Sequence, residues 1–421
     1  MDADKSRPSV ALATLGCKLN QAESELLARQ LYAAGFNLVS SVAEADIYLV
    51  NTCTVTGEAD RKARQMLRSA HDENPRARLV VTGCYAKRAA RELDGIQGLS
   101  LVIGDGETGR LPGLLRELSG VDTPGSPRGE PGFHRRTRTF LKIQEGCRNF
   151  CTYCIVPFVR SEVSSRPIRE VVEQVSRRAA EGYKEVVLTG TEVGLYEHGG
   201  SDISGLLAAL LSGTSIARLR LSSLQPQEIS SDLLRLWRDP RLCPHFHLSL
   251  QSGSPGVLRR MKRLYSPADY RRAVEGIRAA VPDAAITTDI IVGFPGETDA
   301  EFQESLEFCR GMGFARIHVF PYSQRPGTAA AAMGPRTTAA TVKRRSRQML
   351  ELGRESTRLF MENYLGREML VLMEGRSEGV WSGLTGNYIK VYAKSRADLA
   401  NELVAVKLTG LAGDGMRGSP G

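Results

Sequence analysis

The chain has 421 residues with 42% hydrophobic content, enough apolar material for two or three buried cores. Its apolar runs, such as Ile47 to Val50 and Ile290 to Val292, fall far short of the roughly 20 residues that cross a bilayer, so no transmembrane helix is expected. The net charge of +9 favours polyanionic partners without choosing among them.

The opening residues lack the basic-then-apolar pattern of a signal peptide, which predicts a cytoplasmic protein with no membrane partner. Thiols stay reduced in that compartment. The eight cysteines are therefore read as metal ligands or small buried hydrophobes rather than as a disulfide framework.

The first hundred residues repeat one pattern, a short apolar strand that ends at a cysteine and is followed by a helical stretch. Val10 to Leu15 runs into Gly16-Cys17, Ile47 to Val50 into Asn51-Thr52-Cys53, and Leu79 to Val81 into Thr82-Gly83-Cys84. Between them, Ala22 to Ala34 and Ala59 to Ala70 carry apolar residues at helical spacing. Alternation of this kind predicts a Rossmann-like parallel sheet, whose strand ends share one edge where ligands sit. Cys17, Cys53 and Cys84 would then meet at that edge. Three unrelated buried cysteines are the alternative.

From Leu111 to Arg138 the composition turns to Pro, Gly, Ser and Arg, which reads as a linker. A second α/β series follows. Its strand candidates are Thr139 to Ile143, Glu185 to Thr189, Arg218 to Ser222, His245 to Leu250, Ala285 to Val292 and Arg316 to Tyr322. Helical stretches separate them, among them Arg169 to Ala180, Tyr270 to Ala280 and Ala300 to Gly311. Six strands with crossover helices fit a partial (β/α)6 barrel of TIM type better than a closed eight-stranded one. His245, His247, Ser249 and Gln251 alternate with Phe246, Leu248 and Leu250, so the polar set lines either an interior cavity or a solvated face.

After Pro335 the segment TVKRRSRQMLELGRESTRLFMENYLG reads as one amphipathic helix with a basic start, either a solvated connector or an RNA-facing element. Beyond Gly366, Glu368 to Met373, Asn387 to Ala393 and Leu403 to Leu408 read as strands of a small β-barrel. The expected domains are 1–112, a linker at 113–135, 136–365 and 366–417.

The chemistry is concentrated just after the first strand of the second series, in Glu145-Gly146-Cys147-Arg148-Asn149-Phe150-Cys151-Thr152-Tyr153-Cys154. Three thiolates at this spacing can wrap one face of a cuboidal iron–sulfur cluster, which normally takes four, so one iron is left for an outside chelate. A structural zinc site would want a fourth protein ligand, and neither His nor Cys follows at the usual spacing. A thioredoxin-like pair at Cys151 and Cys154 gives Cys147 no role.

The CRNFCTYC run resembles the signature of the radical S-adenosylmethionine superfamily. Cys17, Cys53 and Cys84 match the three amino-terminal cysteines of its methylthiotransferase family. TLGCKLNQAESE, NTCTVT, VVTGCYAK, FLKIQEGCRNFCTYCIVPFVR, HFHLSLQSGS, VLRRMKRLYS, TTDIIVGFPGET and FPYSQRPGTAA are similar to the branch acting on N6-threonylcarbamoyladenosine beside the tRNA anticodon. The resemblance covers nearly the whole chain. It implies two [4Fe–4S] clusters, with Cys147, Cys151 and Cys154 holding one and Cys17, Cys53 and Cys84 an auxiliary one. It also implies S-adenosylmethionine as methyl donor and radical source, and a carboxy-terminal tRNA-binding TRAM domain. The reaction it implies is methylthiolation of the adenine at C2, with a separate electron donor protein, by a monomer. Branches acting on isopentenyladenosine or on a ribosomal-protein aspartate share the cysteine plan. A non-catalytic iron–sulfur carrier is the alternative of another class.

Contacts expected with S-adenosylmethionine are Phe150 and Tyr153 in the cluster loop, Gly190 and Thr191 at one strand end, Ser223 and Gln225 after another, and Gly293 before Phe294-Pro295-Gly296. Asp289 belongs to the interior set with Thr287 and Ile291. Cys243 and Cys309 are expected to be structural. One departure is that family members commonly read Arg-Gly after the cluster loop, where this chain has Arg160-Ser161-Glu162-Val163, which puts the local turn in doubt.

Overall fold

In a computed structural model the described residues are 7–120 and 137–421. They form two compact units, one of residues up to 120 together with Cys154–Ser161, the other of residues up to Tyr153 from 137 onward and Glu162–Gly421.

The first unit is built from β1 (Ser9–Thr14), α1 (Lys18–Ala33), β2 (Asn37–Val39), β3 (Ile47–Thr52), α2 (Gly57–Glu73), β4 (Arg78–Gly83), α3 (Cys84–Ala89), β5 (Leu99–Val102), α4 (Leu111–Ser119) and, from the later segment, α5 (Val156–Val159). All strands are parallel in the order β2-β1-β3-β4-β5. The three strands that end in cysteine are thus the central neighbours of one sheet. β3 is buried along its whole length, as a parallel strand covered by helices on both faces must be. Leu67, Ala63 and Tyr85 pack on one face, Leu27, Leu31 and Leu115 on the other.

Three of these elements depart from the sequence expectation. The short strands β2 and β5 carry too few residues to show a period. The start of the expected linker is helical, because Leu111 and Leu115 of α4 are spaced to bury against Val10 and Val80. The rest of that linker, including 121–135, lies outside the described residues.

The second unit contains β6 (Arg138–Glu145), β7 (Ser164–Ser165), α6 (Ile168–Ala180), β8 (Glu185–Gly190), β9 (Glu197–His198), β10 (Ser201–Asp202), α7 (Ile203–Gly213), β11 (Arg218–Leu221), β12 (Ser223–Leu224), α8 (Ser231–Arg235), β13 (His245–Leu248), α9 (Pro255–Arg260), α10 (Pro267–Ala280), β14 (Ala285–Val292), α11 (Asp299–Met312), β15 (Arg316–Pro321) and α12 (Ala339–Glu362). Two sheets, β11-β8-β6-β7 and β12-β13-β14-β15, are joined by a parallel bridge from Leu219 to Leu242. The result is six principal parallel strands in sequence order, the partial barrel expected. Phe246, Leu248 and Leu250 face the helices within the main core, which leaves His245, His247 and Ser249 on the inner face.

The long helix α12 is a packed element rather than a solvated connector. Met349, Leu352, Gly353 and Ser356 are buried, and the Ser356 hydroxyl donates to the Phe314 carbonyl. Two arginines of its basic start are engaged in ion pairs. Buried Arg345 donates to Glu297 at 2.7 Å and to Asp299 at 2.8 Å, and Arg344 also donates to Asp299.

The remaining strands, β16 (Glu368–Ser377), β17 (Val380–Thr385), β18 (Lys390–Lys394), β19 (Leu403–Ala412) and β20 (Gly415–Pro420), close a five-stranded barrel in the order β16-β17-β18-β20-β19. Val371, Met373, Trp381, Val391, Val406, Leu408 and Met416 fill it. It docks on residues that begin strands of the larger barrel. Arg138 of β6 donates to Glu374 and Tyr388, and Arg218 of β11 to the Leu384 and Leu370 carbonyls. Arg220 donates to the Gly386 carbonyl, and His245, which begins β13, stacks on Tyr388 at 4.6 Å. The amino-terminal ends of barrel strands serve stability, while loops at the carboxyl ends carry chemistry.

Candidate functional site

In the first unit, parallel pairing of β1, β3 and β4 brings the loops after them to one edge. Gly16 has φ +124 and lies against Cys53, where an added Cβ would come within 2.5 Å of the Cys53 Cβ; only glycine suits both the angle and the approach. Asn20 on α1 donates to the Asn51 side chain and the Thr52 carbonyl, and Asn51 donates back to the Asn20 carbonyl. This buried exchange fixes the Cys17 loop to the Cys53 loop. Cys17 is exposed, while Cys53 and Cys84 are buried.

Burial pushes the Cys53 thiol up to about 11, with the nearby Cys17 adding to the rise and Arg160 and the Val55 amide opposing it. Bound iron would reverse that preference, since thiolates are the ligands. Among the described residues no three His, Cys, Asp or Glu side chains close around a point as a single ion would require. Thiolates of a cuboidal cluster instead bind separate irons, so a wider triangle of sulfurs suits it. The donor set of this edge, three thiols and one buried guanidinium, fits an anionic cluster.

In the second unit the loop after β6 is clamped from below. Thr152 donates its amide to the Met261 carbonyl and its hydroxyl to the Arg260 carbonyl, and its own carbonyl accepts from Ala330. Gln144 donates to the Glu145 and Gly146 carbonyls and accepts from the Glu192 amide. Thr191 accepts from the Gly146 amide at 3.1 Å. Each cysteine of this loop within the unit meets a charged partner. Cys147 Sγ lies 2.9 Å from Glu192 Oε2, which also accepts from Asn149 at 2.6 Å. Arg263 donates to Cys151 Sγ at 3.3 Å and to Gln225 Oε1 at 3.1 Å.

Glu192 has a second carboxyl beside it. Burial, then the Glu192 charge, pushes the Glu228 carboxyl up to about 8, and the Oε1 atoms of both are buried without a donor from any other described residue. At neutral pH Glu228 is therefore protonated. The folded chain holds the Glu228 proton to about pH 8, whereas the unfolded chain releases it near 4.5. Its contribution to stability is full below about pH 4.5 and is lost as pH rises through 8, by at most about 1.4 kcal/mol per pH unit. Urea unfolding of the cluster-free protein at pH 5 and pH 8 should show this decline, and E228Q should flatten it.

The expected cofactor contacts fall into distinct places. Thr191 and Gln225 are tied into the network around the cluster loop, and Gly190 abuts Gln144, which holds that loop. Tyr153 packs with Val257, Met261 and Phe294 beneath the loop. Phe150 is 55% exposed, with φ +45. Ser223 is an exposed residue of β12. At Gly293 the close approach is to Val342 of α12, 2.5 Å from where a Cβ would stand, and its amide donates to Glu297. Asp289 lies 3.3 Å from His247 Nε2, within the inner polar face. Burial pushes the Cys243 and Cys309 thiols up to about 12, as structural cysteines should behave. Sequence reasoning passed over Glu192, Glu228 and Arg263 as site residues, and marked Arg160 only for the turn that it begins. Glu192 directly follows the Gly190-Thr191 pair at a strand end, and that position was the available signal.

Comparison with known proteins accords with both halves of this picture. Residues 141–309 match the radical SAM superfamily, and residues 9–104 match uncharacterized protein family UPF0004. The chain is 37% identical to the threonylcarbamoyladenosine tRNA methylthiotransferase MtaB of Thermotoga maritima, over 91% of this chain and 90% of that one. It is 38% identical to the protein of the same name from Aquifex aeolicus, over 91% and 96%. It is 34% identical to the tRNA-2-methylthio-N(6)-dimethylallyladenosine synthase of Cereibacter sphaeroides, over 97% of each. The fold is shared with the radical S-adenosylmethionine methyltransferase TsrM of Kitasatospora setae, at a TM-score of 0.58 and 15% identity over 77% of each chain. Among the described residues no helix is long and apolar enough to cross a membrane. Identities of 37% and 38% across nine-tenths or more of the chain and of these relatives show that it belongs to the radical S-adenosylmethionine methylthiotransferase family, in its MtaB-like branch.

Proposed function

We propose that this chain methylthiolates C2 of N6-threonylcarbamoyladenosine in tRNA, with S-adenosylmethionine as methyl donor and radical source. The observation that carries the reading is the pairing, in one chain, of a three-cysteine sheet edge with a CxxxCxxC loop flanked by buried Glu192 and half-buried Arg263. Cys147, Cys151 and Cys154 are the ligands of the radical cluster, and Cys17, Cys53 and Cys84 those of the auxiliary cluster. When bound, these groups and S-adenosylmethionine supply the 5′-deoxyadenosyl radical and the methylthio group.

The chain's own residues do the positioning. Asn149 fixes the Glu192 carboxyl beside Cys147, where it would face the open position of a cluster held by this loop. The amino group of a bound methionine moiety would donate a hydrogen bond to it. Arg263 offsets the Cys151 thiolate and fixes Gln225, and Thr191 holds the Gly146 turn. Phe150, exposed in the loop, is available to the adenine, as is Gly190 to the methionine moiety. The polar inner face with His247 and Asp289 lines the way to the substrate. The carboxy-terminal barrel serves as the tRNA-binding TRAM domain. The protein works in the cytoplasm as a monomer, supplied by a separate electron donor protein.

Likeness to the dimethylallyladenosine synthase favours a second reading, in which the adenine bears an isopentenyl group. Mass spectrometry of tRNA nucleosides from a deletion strain separates the two. Loss of the methylthio group from threonylcarbamoyladenosine alone is the expected result, and loss from isopentenyladenosine instead would move the chain to the other branch.

A further inference from the structure

The segment after the radical-cluster loop carries an arginine whose environment is unusual. Arg160 is 4% exposed, at the end of α5. Its Nη1 and Nη2 donate to the two carboxylate oxygens of Glu23 at 2.7 and 2.9 Å, and its Nε donates to Cys84 Sγ at 3.2 Å. Glu23, itself 6% exposed, stands on α1, the helix that begins directly after Cys17. Ile155 and Val159 of the same segment pack on Cys84. One side chain thus bonds a cysteine of the sheet edge and is gripped by the helix of another.

A guanidinium is costly to bury, and it stays buried only where its donors are matched. The Glu23 fork satisfies two of the three nitrogens in planar geometry. The third is spent on a sulfur, a weak acceptor as a thiol but a strong one as a thiolate. The arrangement therefore makes full use of Arg160 only when Cys84 is ionised.

We propose that Arg160 is a positioning residue that sets the reduction potential of the auxiliary cluster through its Nε–H bond to the Cys84 sulfur, with Glu23 fixing how much of its charge the cluster feels. The inference rests on Cys17, Cys53 and Cys84 being that cluster's ligands. Hydrogen bonds to ligand sulfurs and local charge are the terms by which a protein tunes such a cluster. A donor and a positive charge stabilise the more negative, reduced form and raise the potential. Neutralising Glu23 leaves the guanidinium charge less compensated and raises it further.

The test uses the full chain carrying C147A, C151A and C154A, reconstituted with iron and sulfide and titrated redox-potentiometrically with electron paramagnetic resonance. If this background holds no cluster, the ligand reading falls and the proposal with it. If it does hold one, R160Q should move the midpoint to more negative potential and E23Q to more positive potential, with R160K lying between R160Q and the parent. General loosening of the site would not give opposite signs. Unchanged midpoints, or shifts of the same sign, overturn the proposal while leaving the ligand reading intact. Should R160Q fail to hold a cluster, the sign of the E23Q shift decides alone: positive supports the proposal, and zero or negative overturns it.

Discussion

Replacing Glu192 by glutamine is expected to weaken S-adenosylmethionine binding by about 30- to 5,000-fold, because truncating one partner of a buried charged hydrogen bond costs about 2–5 kcal/mol. The side chain is buried, one oxygen lies against Cys147 and Asn149, and its neighbour Glu228 keeps its proton to about pH 8. Glu192 Oε2 is the oxygen that meets Cys147 and Asn149, and E192Q replaces the carboxyl by an amide of nearly the same shape. Equilibrium binding to the reconstituted protein measures the loss, and release of 5′-deoxyadenosine at saturating S-adenosylmethionine separates affinity from turnover. E228Q is the control. It removes a group already neutral and should leave affinity within about threefold of the parent at pH 7. Equal losses in both variants would mean that the cavity, rather than the charge, was damaged.

The second large effect lies at the other end of the barrel strands. Arg220 and Glu185 are both fully buried, 2.7 Å apart. Burial alone would push the Glu185 carboxyl up, but the Arg220, Arg138 and Arg218 charges hold it below the usual range. Arg220 also lies 4.3 Å over the Tyr388 ring and donates to the Gly386 carbonyl. Methionine at 220 keeps most of the volume and strands Glu185 beside Arg218, 4.0 Å away. The expected cost is about 3–5 kcal/mol, read as a lowered urea midpoint and faster amide exchange across β16 to β20. Adding E185L should recover much of it, since a buried pair replaced as a unit by apolar side chains is often near neutral. The shortfall would measure what Arg220 gives to docking of the small barrel.

The first unit shows where sequence reading succeeds and where it stops. Cys17, Cys53 and Cys84 each follow a buried strand. Since parallel strands must pair with neighbours through helical crossovers, the repeat alone predicts one sheet and one edge. The same logic found the six barrel strands and the carboxy-terminal barrel. It failed at α4, where Pro and Gly nearby suggested a linker although Leu111 and Leu115 have the spacing to dock. It also left α12 open between solvent and RNA, because amphipathicity does not name the partner of the apolar face. Here that face packs in the main core, and Arg345 turns inward to Glu297.

The sequence by itself determined the ligand types, their spacing and the repeating α/β architecture, since these follow from local periodicity and from the chemistry of cysteine. Only the tertiary structure decided which charges surround the sulfurs. Arg160 is far along the chain from Cys84 and Glu23, as Arg263 is from Cys151 and Glu192 from Cys147. Such pairings depend on which strand ends and helices pack together, and no local pattern encodes them. An arginine in a loop is ordinarily a solvated charge. Burial against a carboxylate and a thiol is what gives Arg160 its role, and burial is a property of the folded chain.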